Sequence, residues 1–356
     1  MTNPGRLGLL VAVLVTGCAA PRARKHDFQS LQDLNWTAPG FTVQSAPTLA
    51  PQPKPNSPRL VAPASDATWI SLDDWSQLNG FGQPKRVALH PLKCVLETSC
   101  GLFTFEAGSS MMRWNGTAVQ LGFVPFAKGG VLFVHALDVR KNIIPLFEQV
   151  ASGPTPRRII VIDPGHGGKN TGARNIVNGM FEKDLTLDLA LRLKPLLEAR
   201  GWTVQLTRTN DVDLSLADRV AFAEQNRADL FLSLHFNSAY PSQREAGLET
   251  YCLTPAGMPS HLTRGYEDDP SNSYPNNTFD TQNLQYAIRI HRALVQLGST
   301  RDRGVRRARF LGVLRGQNRP AVLIEGGYLS NPVEARRIAD PAYRQAMAEA
   351  IAGALE

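Results

Sequence analysis

Three hydrophobic patterns follow one another along the chain. Residues 7–15 are apolar without a break, a run less than half of the roughly 20 residues a membrane-spanning helix needs. Between residues 19 and 65 apolar periodicity almost vanishes. From 66 to about 150 short apolar runs return, at 69–72, 86–89, 102–106, 109–114, 118–126 and 130–134, broken by Gly and Asn. Asn115-Gly116 between two of these runs is a strong signal for a two-residue hairpin turn, so the stretch predicts a small sheet-rich domain.

Beyond a Pro/Gly linker at 151–156, strand and helix patterns alternate. Residues 158–163 form a β-branched block suited to a strand buried on both faces. Leu185, Leu189, Leu193 and Leu196 fall on one stripe of a helix predicted over 182–200, with Gly201 as its cap and a kink at Pro195. Further strands are expected at 202–207, 229–235, 248–254, 310–315 and 321–325, and helices near 215–225, 281–297 and 341–355. The alternation predicts an α/β fold, a twisted and mostly parallel sheet with helices on both faces. Ligands should then gather at the carboxyl ends of the strands.

Composition narrows the classes. With 356 residues, 43% hydrophobic and 19% charged, the chain is neither disordered nor fibrous and has material for two domains. The net charge of +7 is spread thinly, since residues 157–356 hold 25 basic against 22 acidic side chains. No dense basic face with interleaved aromatics stands out, so nucleic acid is excluded as a partner. Residues 18–65, rich in Pro, Ala, Ser and Gln, cannot offset the entropy of ordering and read as an extended tether. At roughly 3 Å per residue such a tether reaches on the order of 100 Å.

The four cysteines, Cys18, Cys94, Cys100 and Cys252, are too scattered for a disulfide scaffold or paired zinc knuckles. Any metal is therefore held by His and carboxylate. Cys94 and Cys100 either close a small loop in an oxidising compartment or stay reduced. Cys252 reads as a half-buried strand thiol.

Arg6, the apolar run and the small residues after it have the form of a secretory signal peptide, residues 1–17. Its end, Val15-Thr16-Gly17-Cys18, resembles the bacterial lipoprotein box, in which the cysteine is lipidated; the plain alternative places Cys18 beside an ordinary cleavage site. Ala19 after that cysteine implies, by the same resemblance, an outer-membrane lipoprotein facing the periplasm of a Gram-negative cell. Residues 66–150 resemble the copper amine oxidase N-terminal-like domain through Trp69-Ile70-Ser71-Leu72, the stretch from Gly108-Ser109 to Asn115-Gly116, and Ile143-Ile144-Pro145-Leu146. Copper is not implied, because His90 and His135 lack neighbouring ligands and read as fold residues.

The candidate chemistry lies in residues 157–356. His166 sits in the turn Asp163-Pro164-Gly165-His166-Gly167-Gly168 after the first strand, where glycines allow the backbone to fold tightly. Glu182 opens the next helix and His235 ends the strand at 229–235. Two His and one Glu, with a fourth position left for water, form the pattern of a catalytic rather than a structural zinc site. Glu325 emerges from the apolar strand Ala321-Val322-Leu323-Ile324, and burying such a carboxylate is costly without a task. It is suited to taking a proton from an activated water and returning it to a leaving amine.

These residues sit in motifs similar to those of the zinc-dependent N-acetylmuramoyl-L-alanine amidases. The motifs are the Asp163 to Gly168 turn, Phe181-Glu182-Lys183-Asp184, Leu206-Thr207-Arg208, Ser233-Leu234-His235-Phe236-Asn237-Ser238, Gly247-Leu248-Glu249-Thr250-Tyr251, and Glu325-Gly326-Gly327 with Leu329-Ser330-Asn331. Six in family order form a specific signature. The resemblance implies that His166, Glu182 and His235 bind Zn2+ and that Glu325 is the catalytic carboxylate. It also implies the substrate, the peptidoglycan amide between N-acetylmuramic acid and L-alanine.

Other residues have weaker claims. Asn237 and Glu249 either touch substrate, support a ligand, or cap a loop or strand; Asp163 either orients the His166 turn or serves the turn itself. His261 and His291 read as fold residues. Seven arginines between Arg301 and Arg319 suggest a solvated face, with one or two left to meet stem carboxylates. The long polar segment 255–280 is either a lid or a surface excursion. Some amidases of this kind are held inactive by an element blocking zinc, which adds an activator protein to the implied partners. Two rival readings stay open: a zinc carboxypeptidase acting on stem peptides, and a non-catalytic peptidoglycan-binding lipoprotein.

Overall fold

Short alternating runs in the first part of the chain form β1 (Trp69–Ser71), α1 (Leu72–Leu78), β2 (Lys85–Leu89), β3 (Leu92–Thr98), β4 (Gly101–Glu106), β5 (Met111–Trp114), β6 (Thr117–Gln120), β7 (Phe126–Lys128), β8 (Val131–His135) and α2 (Ala136–Asp138). The second part supplies β9 (Ile159–Pro164), α3 (Glu182–Glu198), β10 (Thr203–Leu206), α4 (Leu216–Gln225), β11 (Leu230–Asn237) and β12 (Leu248–Cys252). It closes with α5 (Asp280–Val295), β13 (Asp302–Arg307), α6 (Gly312–Arg315), β14 (Ala321–Tyr328), α7 (Pro332–Ala339) and α8 (Pro341–Ala354). This computed structural model describes residues 60–65, 67–148, 158–262, 268–298 and 300–356. Cys18 and the tether up to residue 59 lie outside them. No helix among the described residues is long and apolar enough to cross a membrane.

Strand order in the 11-stranded sheet is β10-β9-β11-β14-β12-β13-β6-β5-β4-β3-β2. β10, β9, β11 and β14 run parallel, β12 is antiparallel to β14, and β13 is parallel to β12. Alternation within β9 explains the two covered faces: Ile160 and Ile162 join Leu185, Leu189 and Leu193 of α3, while Val161 joins Ala223 of α4 and Val313 and Leu314 of α6. Side chains of a strand point alternately to opposite faces, so a fully apolar strand needs a helix on each.

The sheet does not end at β13. β6 pairs parallel to it through Val305 and Val119, and an antiparallel meander continues from β6 to β2. Asn115 and Gly116, at φ 48° and 83°, make the tight turn between β5 and β6, as the Asn-Gly pair predicts. Polar contacts close the seam. Asp302 accepts from the Ala118 amide at 3.1 Å and lies 2.9 Å from His291 Nε2. Arg307 donates to the Lys141 carbonyl and Asn142 Oδ1, both at 3.0 Å, and Gln285 donates to the Pro145 and Glu148 carbonyls, both at 2.7 Å. Leu96, Phe103 and Met112 belong to the same apolar cluster as Ile160 and Leu234, so one core runs across both halves.

Several expectations change. The strand expected at 310–315 is the short helix α6, and the strand lies earlier, at β13. The arginines there are not a solvated face: Arg307, Arg309 and Arg319 are 2%, 3% and 5% exposed and hydrogen-bond to the Leu253, Met258 and Ala223 carbonyls. Buried carbonyls at loop ends take the place of water for these guanidinium groups. Cys94 and Cys100 are free thiols. Cys94 pairs with Phe105 along β3, whereas Cys100 lies beyond the strand's end at Thr98. Cys252 is fully buried rather than half-buried. α7 and β3 are elements the apolar pattern did not announce.

Asp302→Ala should lower stability by about 1–3 kcal/mol, the cost of stranding buried donors. Burial pushes the Asp302 carboxyl up, but the hydrogen bond and charge of His291 outweigh it and hold it below 3.8. A depressed carboxylate stabilises the fold above its unfolded value and loses that contribution as pH falls through the folded value. Denaturant midpoints of wild type and variant should therefore differ at neutral pH and converge in acid below pH 3.8.

Candidate metal centre

The site is built where β9 and β11 end and α3 begins. β9 closes in Asp163-Pro164, and the chain then turns through His166 at φ 62°, Gly167 at 133° and Gly168 at 58°. A non-glycine residue with positive φ is held against its preference, and such strain concentrates at functional positions. Two buried arginines hold the turn. Arg208 donates to the Pro164 and Gly165 carbonyls, both at 2.9 Å. Arg219 donates to Asp163 Oδ1 at 2.6 Å and to the His166 carbonyl at 2.8 Å. Asp163 also accepts from Thr207 at 2.6 Å and Ser233 at 2.9 Å, so it acts on His166 through Arg219. Burial raises its carboxyl, and the Arg219 charge outweighs this and holds it below the usual range.

Glu182 is the first residue of α3, where the helix dipole favours a negative charge. Its Oε2 accepts from the Ala173 amide at 2.9 Å and its Oε1 from the Phe236 amide at 3.0 Å. The same Oε1 lies 3.1 Å from His166 Nε2 and 3.0 Å from His235 Nδ1. One ligand atom from each of His166, Glu182 and His235 falls within 4.8 Å of the others, although the residues are far apart in sequence. Gly165 and Gly172 clear this space: a Cβ at Gly165 would meet the His235 ring at 2.2 Å, and one at Gly172 would lie 2.6 Å from Glu182 Oε2 and from His166 Cδ2.

The electrostatics favour a cation at this point. All three side chains are at most 5% exposed, and a buried carboxylate facing two ring nitrogens needs positive charge between them. Burial pushes Glu182 up, but the charge of His166 and the close polar contacts with both imidazoles hold it well below the ordinary range. Burial would lower His166, and the Glu182 charge reverses this and raises it. His235 is lowered by burial. His166 Nε2 is buried without a hydrogen-bond partner. Two imidazole nitrogens and a carboxylate oxygen are the donor set of a zinc site with an open position, so the residues present fit that ion.

Glu325 lies beside them. It pairs in register with His235 on β11 and with Glu249 on β12. It is 0% exposed, and neither carboxyl oxygen has a hydrogen-bond partner. Burial, followed by the charges of Glu182 and Glu249, pushes it well above the ordinary carboxylate value. A buried, unpaired acid of raised proton affinity next to a polar cluster is suited to proton transfer.

Glu249 is engaged elsewhere. Its oxygens accept from Arg303 at 2.6 Å, Arg306 at 2.7 Å, Tyr251 at 2.7 Å and Asn237 at 3.2 Å. Burial raises this carboxyl and the charges of Arg306 and Arg303 bring it below the ordinary value. Glu249 and Asn237 thus form a framework behind Glu325. Of the remaining histidines, His261 bonds the Leu121 carbonyl at 3.1 Å and His291 lies 3.0 Å from Thr250, as fold residues. The described residues of the segment 255–280 set out from, and return to, the end of the sheet away from Glu325. β12 runs antiparallel to β14, so the chain leaves it at the end opposite Glu325, and Asn276 then bonds the Arg319 carbonyl just before β14 at 2.7 Å.

Sequence reasoning missed Arg208 and Arg219 as supports of the site, and Asn170, whose Oδ1 lies 2.7 Å from His166 Nδ1. Arg208 stood within a quoted motif, whereas Arg219 reads as an ordinary charge on α4.

Residues 160–356 match the family model described as Amidase_3, N-acetylmuramoyl-L-alanine amidase. The uncharacterized protein YqiI of Bacillus subtilis is 33% identical over 206 residues, covering 58% of this chain and 87% of that protein. N-acetylmuramoyl-L-alanine amidase AmiC of Neisseria meningitidis is 31% identical over 241 residues, covering 62% of this chain and 56% of AmiC, about half its length. Among solved structures, the catalytic domain of the amidase CwlV from Bacillus (Paenibacillus) polymyxa is 32% identical, with a TM-score of 0.46, covering 56% of this chain and 96% of that one.

Gly165→Ala should displace the His235 ring and weaken zinc binding at least tenfold, on the scale of a disturbed ligand support. Competition with a chromophoric chelator measures it.

Proposed function

The chain belongs to the N-acetylmuramoyl-L-alanine amidase family, and from that membership we propose that it hydrolyses the amide between N-acetylmuramic acid and L-alanine in peptidoglycan. In this reading His166, Glu182 and His235 hold Zn2+, and Glu325 is the acid-base residue. The observation that carries it is the convergence of the three ligand atoms within 4.8 Å beside an unpaired, fully buried Glu325.

A bound zinc ion would supply Lewis-acid polarisation and water activation near neutral pH. Glu182, fixed by two backbone amides, keeps both imidazoles turned toward one point. Glu325 takes the proton of the attacking water on a carboxyl oxygen and passes it to the departing alanine nitrogen. Its apolar strand and the Glu249 framework keep that carboxyl dry, so the proton has no competing partner. The lipoprotein box ending in Cys18 supports export to the outer membrane with the enzyme facing the periplasm, where peptidoglycan is within reach of the tether.

Purified protein incubated with sacculi should release stem peptides with a free L-alanine amino terminus, detected by mass spectrometry. A chelator should abolish the release and zinc restore it. Glu325→Gln should lower kcat by about 10²- to 10⁴-fold, the usual worth of a general acid-base group, while zinc content stays unchanged. Release of terminal D-alanine instead, or full activity in Glu325→Gln, would sink the reading.

A further inference from the structure

We infer that the Asn170 side chain sets which nitrogen of His166 is presented to the ligand cluster, as a positioning residue for the proposed zinc site. The inference rests on the metal reading above.

The backbone brings Asn170 to the ring without help from its side chain. The Gly167 amide donates to the Asn170 carbonyl at 2.8 Å, and the Asn170 amide donates to the Gly167 carbonyl at 3.1 Å. This two-way bridge closes the turn that carries His166 at φ 62°. The side chain then reaches back, with Oδ1 2.7 Å from His166 Nδ1 and 3.2 Å from the Gly172 amide nitrogen.

Those two contacts decide the proton's position. A backbone N–H only donates, so the Asn170 atom that meets Gly172 is the oxygen, and the same oxygen faces His166 Nδ1. An acceptor at Nδ1 keeps an imidazole proton there, so Nε2 is the nitrogen whose proton a cation can displace and whose lone pair then ligates. Nε2 is the atom 3.1 Å from Glu182 Oε1, buried and without a hydrogen-bond partner. Asn170 therefore fixes both the ring's orientation and its ligating nitrogen. The amide does so without placing a second negative charge beside Glu182. Gly172 makes room for the arrangement, since a Cβ there would press on the His166 ring at 2.6 Å.

The test uses the full chain, stripped with a chelator and titrated with zinc against a chromophoric competitor. Asn170→Ala should weaken zinc about 10- to 100-fold, the usual effect of losing such a support. Asn170→Asp, which offers an acceptor oxygen of the same reach, should bind within about threefold of wild type or more tightly. Nitrogen NMR of the zinc-loaded protein should show His166 with its proton on Nδ1 and Nε2 bound to the metal in wild type and Asn170→Asp, and a mixture of the two ligation modes in Asn170→Ala. Zinc affinity of a folded Asn170→Ala within about twofold of wild type overturns the inference. If circular dichroism shows that the alanine variant does not fold, Asn170→Asp decides: retained affinity with an Nδ1 proton supports the assignment, and a tenfold loss in the folded protein overturns it. A wild-type protein that takes up no zinc would sink the metal reading itself, before any variant is compared.

Discussion

One carboxylate oxygen, Glu182 Oε1, lies within 3.1 Å of nitrogens from two imidazoles, and the arrangement of the sheet's carboxyl end serves that contact. Three unfavourable groups are buried together because each supplies what another lacks. The surrounding hydrogen bonds leave little freedom to move them. Glu182 is held by the Ala173 amide and by the Phe236 amide of β11, Asp163 and two arginines pin the turn that carries His166, and β11 delivers His235 opposite Glu325. In the proposed reading this rigidity matters, since a ligand set assembled in advance would spend little of a cation's binding energy on ordering itself.

Residue pattern made part of this legible. The β-branched block of β9 and the leucine stripe of α3 announce themselves because a buried strand and a one-sided helix need those patterns. The metal cluster was legible because His and Glu at strand and helix ends are costly there without a partner. What stayed hidden was decided by tertiary partners. Arg303, Arg306 and Arg307 read as surface charge, yet they line β13 because Glu249, Asn142 and loop carbonyls receive them. Arg219 carries no local signal, because the carbonyl it serves lies on another segment, and Asn170, four residues beyond His166, reads as an ordinary turn residue until the turn brings it back to the ring. The direction of β12 was equally invisible, and it makes the chain leave that strand at the end opposite Glu325.

The middle of the chain and the catalytic half share a core. Asp302 receives from β6 and α5 at once, and Gln285 of α5 holds the carbonyls of Pro145 and Glu148. Relative motion of the two halves would break the Val305–Val119 pairing and strand several polar groups. The two halves therefore form one stiff body rather than two hinged ones.

β13 is an interior strand, flanked by β12 on one side and β6 on the other. The stretch that resembles the amidase family starts at residue 160, beyond every residue of β6. Trimming the molecule back to that stretch would bare a row of unpaired amides and carbonyls beside the apolar side chain of Val305, and an open strand of this kind recruits strands from neighbouring molecules. The limit of the family-model match is thus not a limit at which this polypeptide can be cut without inviting aggregation.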